Sequence, residues 1–401
     1  MTVMTMRQIW ALYLTGDCNL SCAYCYYRPE SPQGTMSAET AARSLDFIAA
    51  HAASRGARST DIGFFGREPL TRFDLIESVA ADAKRKIPAV TFSLNTNGTL
   101  LDPARLDFFR GLGARISLSL DGPPDHHDTV RPTKNGGPSY GLVEPMICGL
   151  AAYEPAVYVR MTVTAASARH FFDNATYIAD LGFKKLGFAF DLTDPHWDQP
   201  AFSAARRELE RFADWYSAGV AAGRGLAVPA FDSLARGRHV PDAGLFCGAA
   251  SHLFAVDCDG KIYPCWRFVG SAADAIGDVV TGWKAPPDSH AFNSVRQSLA
   301  PDCAGCPHAG YCGRCAWASI RHTGSHERVS RVQCETARAA IDAGIRACES
   351  MAASQSPNFI ARLSSMDAEQ TLDGSLMLSD ESGCVYSLPP EELERYRVSH
   401  P

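Results

Sequence analysis

The sequence predicts an α/β protein: a partial (β/α)6 barrel, then a small cysteine-rich domain, then a C-terminal appendix. Three observations carry this. Over residues 9–225 short β-rich runs alternate with amphipathic stretches, eight of the fourteen cysteines fall between residues 247 and 334, and 46% apolar with 20% charged residues describe a chain with a sizeable core. At 401 residues the chain is too long for one ordinary core and suits a barrel with smaller units appended.

Strands are expected at Ile9 to Leu14, Asp61 to Phe65, Val90 to Leu94, Arg115 to Leu120, Ala156 to Thr164 and Lys185 to Phe190. Between them lie helical stretches: Leu75, Ile76, Val79, Ala80 and Ala83 repeat with period 3.6, and Asp102 followed by Pro103 is an N-cap with proline at the first helical position. Parallel neighbours need a crossover, usually a helix, so these units imply a parallel sheet curved into a partial barrel. A long helix at Ala204 to Ala222 closes this half, with a boundary near residue 235. The domains expected are 1–235, 236–355 and 356–401. The second is loop-rich and held by metal, ending in a helix at Ser330 to Met351. The third reads as a polar hinge, a hairpin (Leu376 to Leu378, Cys384 to Ser387) and a short helix at Pro389 to Arg397.

A net charge of −6 gives no general reason to bind nucleic acid or an anionic membrane. No run of eighteen apolar residues occurs, and Met1 to Ile9 lack the pattern of a signal peptide, so a cytoplasmic protein is expected. There thiols stay reduced, and close cysteine spacings point to metal or redox chemistry.

Cys18, Cys22 and Cys25 directly follow the first strand. Three thiolates in eight residues wrap three irons of a cubane and leave the fourth iron open. A zinc knuckle is the alternative, but tetrahedral zinc wants a fourth ligand nearby, and the nearest histidine is His51, beyond a predicted helix. This Cys-x3-Cys-x2-Cys resembles the signature of the radical S-adenosylmethionine (SAM) superfamily. The resemblance implies that SAM chelates the open iron of a 4Fe-4S cluster and is cleaved by one electron to a 5′-deoxyadenosyl radical, which abstracts a hydrogen atom from substrate. It extends to Gly66-Arg67-Glu68-Pro69, where the family binds the methionyl amine, and to Tyr24, where an aromatic contacts adenine. Asn95, Ser119, Asp121 and Arg160 fall at strand ends or within the fifth strand, with donors and acceptors suited to a ribose and a carboxylate. Ser119-Leu-Asp-Gly followed by His127-Asp128 and Arg131-Pro132 is similar to the peptide- and protein-modifying branch. Arg67 departs from the family's glycine: it either points to solvent or an acidic partner, or points inward and holds a carboxylate by a bidentate contact.

Cys247, Gly260 and Cys265 form a Cys-x12-Gly-x4-Cys arrangement whose second half reads as a hairpin turning at Asp259-Gly260. Cys303, Cys306, Cys312, Cys315 and Cys334 follow. The set resembles the SPASM domain, which implies two auxiliary 4Fe-4S clusters: Cys247, Cys265 and Cys315 at the first, with Cys258 as its fourth ligand, and Cys303, Cys306, Cys312 and Cys334 at the second. The Cys312–Cys315 gap is one residue shorter than usual. Zinc is the alternative here also. Cys148 reads as a small buried hydrophobe, and Cys348 and Cys384 as free thiols.

The combination resembles maturases of ribosomally made peptides or protein side chains: thioether, carbon–carbon and cyclophane formers and sulfatase-maturing enzymes. It implies a precursor peptide as substrate and a one-electron reductant such as flavodoxin or ferredoxin. In the sulfatase-maturing branch an aspartate after the equivalent of Cys265 acts as base; Trp266 stands there and takes no proton, so formylglycine formation is disfavoured. Only 17 residues precede Cys18, so recognition is expected at the barrel mouth, a sheet edge or the appendix. Oxidation of a folded protein or a small molecule, and a non-enzymatic zinc protein, are the competing readings.

Overall fold

The computed structural model describes residues 7–27, 34–237, 248–287 and 301–354, and three strands at 367–370, 376–379 and 385–388. All six expected strands form: β1 (Gln8–Tyr13), β2 (Thr60–Phe65), β3 (Val90–Thr96), β4 (Arg115–Ser119), β5 (Tyr158–Val163) and β6 (Lys185–Phe190). Each pairs in parallel with the next. The crossovers carry α1 (Ala38–Ser54), α2 (Phe73–Lys86), α3 (Pro103–Leu112), α4 (Pro124–Val130), the short α5 (Tyr140–Val143) and α6 (Ile147–Ala151), and α7 (Phe171–Asp180). Helix α2 buries the five residues its periodicity marked, and α3 starts where Asp102 accepts from the Arg105 N–H. Helix α8 (Gln199–Ala221) begins earlier than expected, because Asp198 caps it. After it comes α9 (Pro229–Gly237).

The cysteine-rich region grows from the same sheet. β7 (Leu253–Val256) lies parallel to β1 on the side away from β2, and its hairpin partner β8 (Lys261–Tyr263) continues antiparallel to β9 (Gly277–Asp278) and β10 (Gly282–Trp283). Gly260 makes the turn at φ +90°. Helices α10 (Ala316–Thr323) and α11 (Arg331–Ala353) follow, and α11 packs on α8 and α9. Ion pairs seat the cysteine loop there: Asp342 of α11 accepts from Arg206 and pairs with His308 Nε2, both at 2.6 Å.

Strand alternation decides which side chains meet the helices. In β1, Trp10 and Leu12 enter the main core, while Ala11 and Tyr13 join a second core with Ala255, Tyr263, Cys265, Phe268 and Trp317. In the middle strands Ile62, Phe92, Leu118 and Val159 face the helices, and Asp61, Ser93, Ser117 and Tyr158 face a cavity inside the curved sheet.

Two expectations are corrected. Cys148 is exposed, since α6 turns Ile147 and Leu150 inward and leaves Cys148 on its outer face. The expected hinge holds a strand, β11 (Asp367–Gln370), antiparallel to β12 (Leu376–Ser379), which pairs with β13 (Val385–Leu388). Asp-Ala-Glu-Gln contains no β-branched or aromatic residue to announce it. The helix expected at 389–397, and Cys247 and Cys384, lie outside the described residues. Among the described residues no helix is long and apolar enough to cross a membrane.

Candidate active site

The parallel strands all end on one side, and the loops leaving those ends carry the site. The cysteine loop after β1 is tied at both flanks. Ser21 and Ala23 N–H donate to the Pro132 and Val130 carbonyls at 2.8 and 3.0 Å, and Asn97 Nδ2 donates to Asn19 Oδ1 at 2.9 Å. Cys18 is buried and receives the Leu20 N–H at 3.3 Å; Cys22 is half-buried and Cys25 exposed.

Beyond β2 the chain turns at Gly66, φ +134°, where a Cβ would stand 2.6 Å from the Thr15 carbonyl oxygen, so only glycine fits. This close approach lets the Arg67 and Glu68 N–H donate to the Thr15 and Asp17 carbonyls at 3.1 and 3.0 Å. The Gly66–Glu68 segment is thus laced to the cysteine loop. Glu68 is fully buried: Oε1 accepts from Thr96 Oγ1 at 2.7 Å and Leu70 N–H at 3.2 Å, and Oε2 accepts from Asn97 N–H at 2.7 Å. Burial pushes its carboxyl up to about 7 against the pull of those donors.

Asp121 is the second buried carboxylate. It accepts from Arg131 Nε at 2.7 Å, from Thr162 N–H at 2.8 Å and from the Tyr24 hydroxyl, and the Arg131 guanidinium lies 5.1 Å over the Tyr24 ring. Burial works to raise its carboxyl, but the Arg131 cation and the three donors hold it below the usual carboxylate range.

One cavity of about 150 Å³ gathers most of the predicted set. Its wall holds Cys18, Cys22 and Cys25 with Tyr24 and Arg67, and, from the next strands, Asn95, Ser119 and Arg160. Gly66, Glu68 and Asp121 stand behind that wall and shape it. Arg67 points inward, its guanidinium 5.5 Å from the Tyr27 ring centroid. Sequence reasoning marked Arg131 only as part of a motif and missed Asp191, Thr193 and Arg267; all four also line the cavity. Asp191 ends β6 as Asn95 and Ser119 end β3 and β4, so the strand-end rule was enough to find it; Arg267 had only its nearness to Cys265 to mark it. Burial and then the Arg267 cation lower the pKa of Arg160. Asn95 and Arg160 also line the cavity of about 380 Å³ inside the curved sheet, so the two spaces adjoin.

Cys265 and Cys315 pack in the same apolar cluster with Trp317, which puts Cys315 on the Cys265 side despite the short gap. Cys303, Cys306, Cys312 and Cys334 form another group: burial pushes Cys312 up to about 11, and the charges of Cys303, Cys334 and Cys306 add to it. Cys334 sits in the first turn of α11. The hairpin does not bring Cys258 to Cys265. Pairing of Ala255 with Tyr263 puts Cys265 beyond the open end, whereas Cys258 is in the turn, where its Sγ donates to the Tyr13 carbonyl at 3.2 Å. Among the described residues no three His, Cys, Asp or Glu side chains gather tightly enough to hold a single metal ion.

Residues 12–188 match the Radical SAM superfamily. The chain carries a radical SAM domain, and it is an enzyme. The cysteine-type anaerobic sulfatase-maturating enzyme of Clostridium perfringens is 24% identical over 270 residues, covering 64% of this chain and 73% of that one. In fold, the chain resembles native anSMEcpe with bound AdoMet and Kp18Cys peptide (TM-score 0.73, 19% identity, 87% and 99% of the two chains). It also resembles Streptococcus suis SuiB bound to precursor peptide SuiA (TM-score 0.55, 15% identity, 82% and 76%). A radical SAM domain implies SAM and one 4Fe-4S cluster. The residues fit both: three thiols of one loop open onto a single cavity, Gly66 lets the Arg67–Glu68 segment lie against the cysteine loop, and Arg160 supplies a cation on the same wall.

Proposed function

We propose that this radical SAM enzyme is a maturase that abstracts a hydrogen atom from a ribosomally made peptide, leading to a cross-link or related side-chain modification. The observation that carries it is the cavity onto which Cys18, Cys22, Cys25, Asn95, Ser119 and Arg160 all open. Cys18, Cys22 and Cys25 would hold the cluster. The Gly66–Glu68 backbone and Arg160 would hold the amino and carboxylate ends of SAM, Ser119 and Asn95 its ribose, and Tyr24 the adenine side. When bound, the cluster and SAM supply one-electron reductive cleavage and a hydrogen-abstracting radical.

The rest of the site restricts where that reactivity goes. Tyr24 is fixed between Asp121 and Arg131, so it offers a rigid wall and no mobile proton. Phe65 and Trp266 stack at 5.4 Å and, with Phe188 and Leu94, give the adjoining cavity an apolar stretch of wall beside its polar residues, which would shield the target bond from water. Trp266 is fixed further by its carbonyl, which accepts from the Tyr13 hydroxyl at 2.9 Å. That position therefore carries no proton acceptor, and for this reason formylglycine formation is not the reaction proposed. Support for a peptide substrate comes from fold relatives described as bound to peptides. Two auxiliary 4Fe-4S clusters belong to this reading: Cys247, Cys265 and Cys315 for one, Cys303, Cys306, Cys312 and Cys334 for the other, with an external flavodoxin or ferredoxin supplying electrons.

The test is iron and zinc content of anaerobically prepared protein, with 5′-deoxyadenosine release after reduction in the presence of SAM. About twelve irons are expected per chain, falling by about four when Cys18, Cys22 and Cys25 are all changed to alanine, with deoxyadenosine release lost. Zinc in place of iron, with no SAM cleavage, sinks the proposal.

A further inference from the structure

The cavity wall holds more positive charge than the reaction's own groups consume. Four arginines line it: Arg67, Arg131, Arg160 and Arg267. Arg131 is spent on Asp121, and Arg160 is assigned above to the carboxylate of SAM. A 4Fe-4S cluster on three thiolates carries one negative charge in its oxidised form, and SAM chelated through its neutral amine and its carboxylate, with one sulfonium, carries none. Arg160 offsets the charge of the cluster. Arg67 and Arg267 remain, and neither makes a hydrogen bond or ion pair to a carboxylate among the described residues. The cavity's own carboxylate, Asp191, is held by Thr193, whose N–H and hydroxyl donate to it at 2.9 and 2.7 Å.

Both side chains are held against aromatic faces, with no carboxylate bonded to either among the described residues. Arg67 lies over Tyr27 at 5.5 Å, and its buried Nε has no hydrogen-bond partner. Arg267 lies between Trp317 at 5.4 Å and Tyr26 at 6.0 Å. Aromatic faces steady a guanidinium without using its in-plane donors, which stay available for a carboxylate. Arg267 also sits beside Arg160, like charge against like, an arrangement that an anion between them relieves.

We propose that Arg67 and Arg267 are specificity-determining residues that bind a carboxylate of the substrate, selecting peptides with an acidic group close to the residue attacked. This rests on the peptide reading above. The carboxylate belongs either to an aspartate or glutamate side chain or to the end of the chain.

The test uses anaerobically reconstituted holoenzyme with SAM and two pools of short random peptides, one with free C-termini and one amidated. Peptides retained by the enzyme are sequenced by mass spectrometry, for the wild type, R67Q, R267Q, the double variant and R267E, with iron content as the check on folding. Wild type is expected to enrich aspartate and glutamate at one position about tenfold per arginine contact, with R67Q and R267Q each lowering this and the double variant abolishing it. R267E is expected to turn the preference toward lysine and arginine. Enrichment in the amidated pool assigns the contact to a side chain; enrichment confined to the free-acid pool assigns it to the chain end. Peptides retained without acidic enrichment, or an enrichment that survives in the double variant while the cluster's reduction potential shifts, overturns this inference and leaves the peptide reading intact. No retained peptide at all overturns both.

Discussion

Asp121 and Arg131 are both buried and paired at 2.7 Å, so removing one partner would strand the other's charge at a cost of about 3–5 kcal/mol. His127 packs against this pair. It is fully buried, and its Nδ1 accepts from the Asp121 N–H at 3.3 Å, which requires that nitrogen to be unprotonated. Burial, then the Arg131 cation, press the imidazolium down to about 4, against the opposite pull of Asp121 and Asp128. An unfolded chain binds that proton near pH 6.5. The folded pKa is depressed, so the contribution to stability is fully present above about 6.5 and is lost as pH falls toward 4. Its size is about 3 kcal/mol from the displacement of the pKa. H127Q removes this titration. Urea unfolding of wild type and H127Q at pH 7.5 and pH 5 should show the wild type losing more stability on acidification. Equal losses in the two proteins would mean that His127 is not buried neutral. Comparing the two cancels other buried groups, including Glu68, whose raised carboxyl works in the opposite direction.

The seam between α11 and α9 depends on Gly344. A Cβ there would stand 2.3 Å from Leu234 Cδ1 and 3.5 Å from the Phe231 backbone, so a branched side chain must push the helices apart. G344V is expected to cost about 1–3 kcal/mol by overpacking. The helix propensity gained by losing a glycine is under about 1 kcal/mol and does not offset it. On the proposed reading that Cys334, in the first turn of α11, ligates the second auxiliary cluster, the same variant should surrender part of its iron to a chelator faster than wild type, which a ferrous-complex absorbance assay follows. Iron release at the wild-type rate, with the stability loss present, would show that α11 does not seat the second auxiliary cluster. Helices of this kind were legible in the sequence because caps and period-3.6 patterns are local: Ser330 and Asp102 start their helices where read. The six strands were legible by the same logic. The parallel pairing of β7 with β1 was not, since nothing within Leu253–Val256 says which strand lies beside it. Cys148 was misread because its apolar neighbours marked a buried stretch without marking the face.

At the scale of the whole molecule the site was half legible. Cys18 was legible from the cysteine spacing and Glu68 from the family resemblance, while Asn95 and Ser119 follow from the strand-end rule, because a parallel sheet delivers its loops to one side. Arg267 was not, because it reaches the cavity only through β7 joining β1, a contact across more than two hundred residues. The C-terminal part of the chain bears differently on the site. Among the described residues the ten strands of the main sheet end at Trp283, whereas β11, β12 and β13 pair only with one another. Among the described residues, deleting 361–401 therefore removes no strand of the main sheet. The thermal midpoint should stay within about 2 °C of wild type, since a loss below about 1 kcal/mol moves a molecule of this size no further. Iron content and SAM cleavage in the absence of peptide should also match. A fall of more than about 5 °C, or loss of iron, would mean that the appendix braces the cluster-bearing part after all. With the core intact, peptide turnover by the shortened enzyme then isolates recognition: KM rising at constant kcat marks the three-stranded sheet as an edge on which a peptide adds a strand.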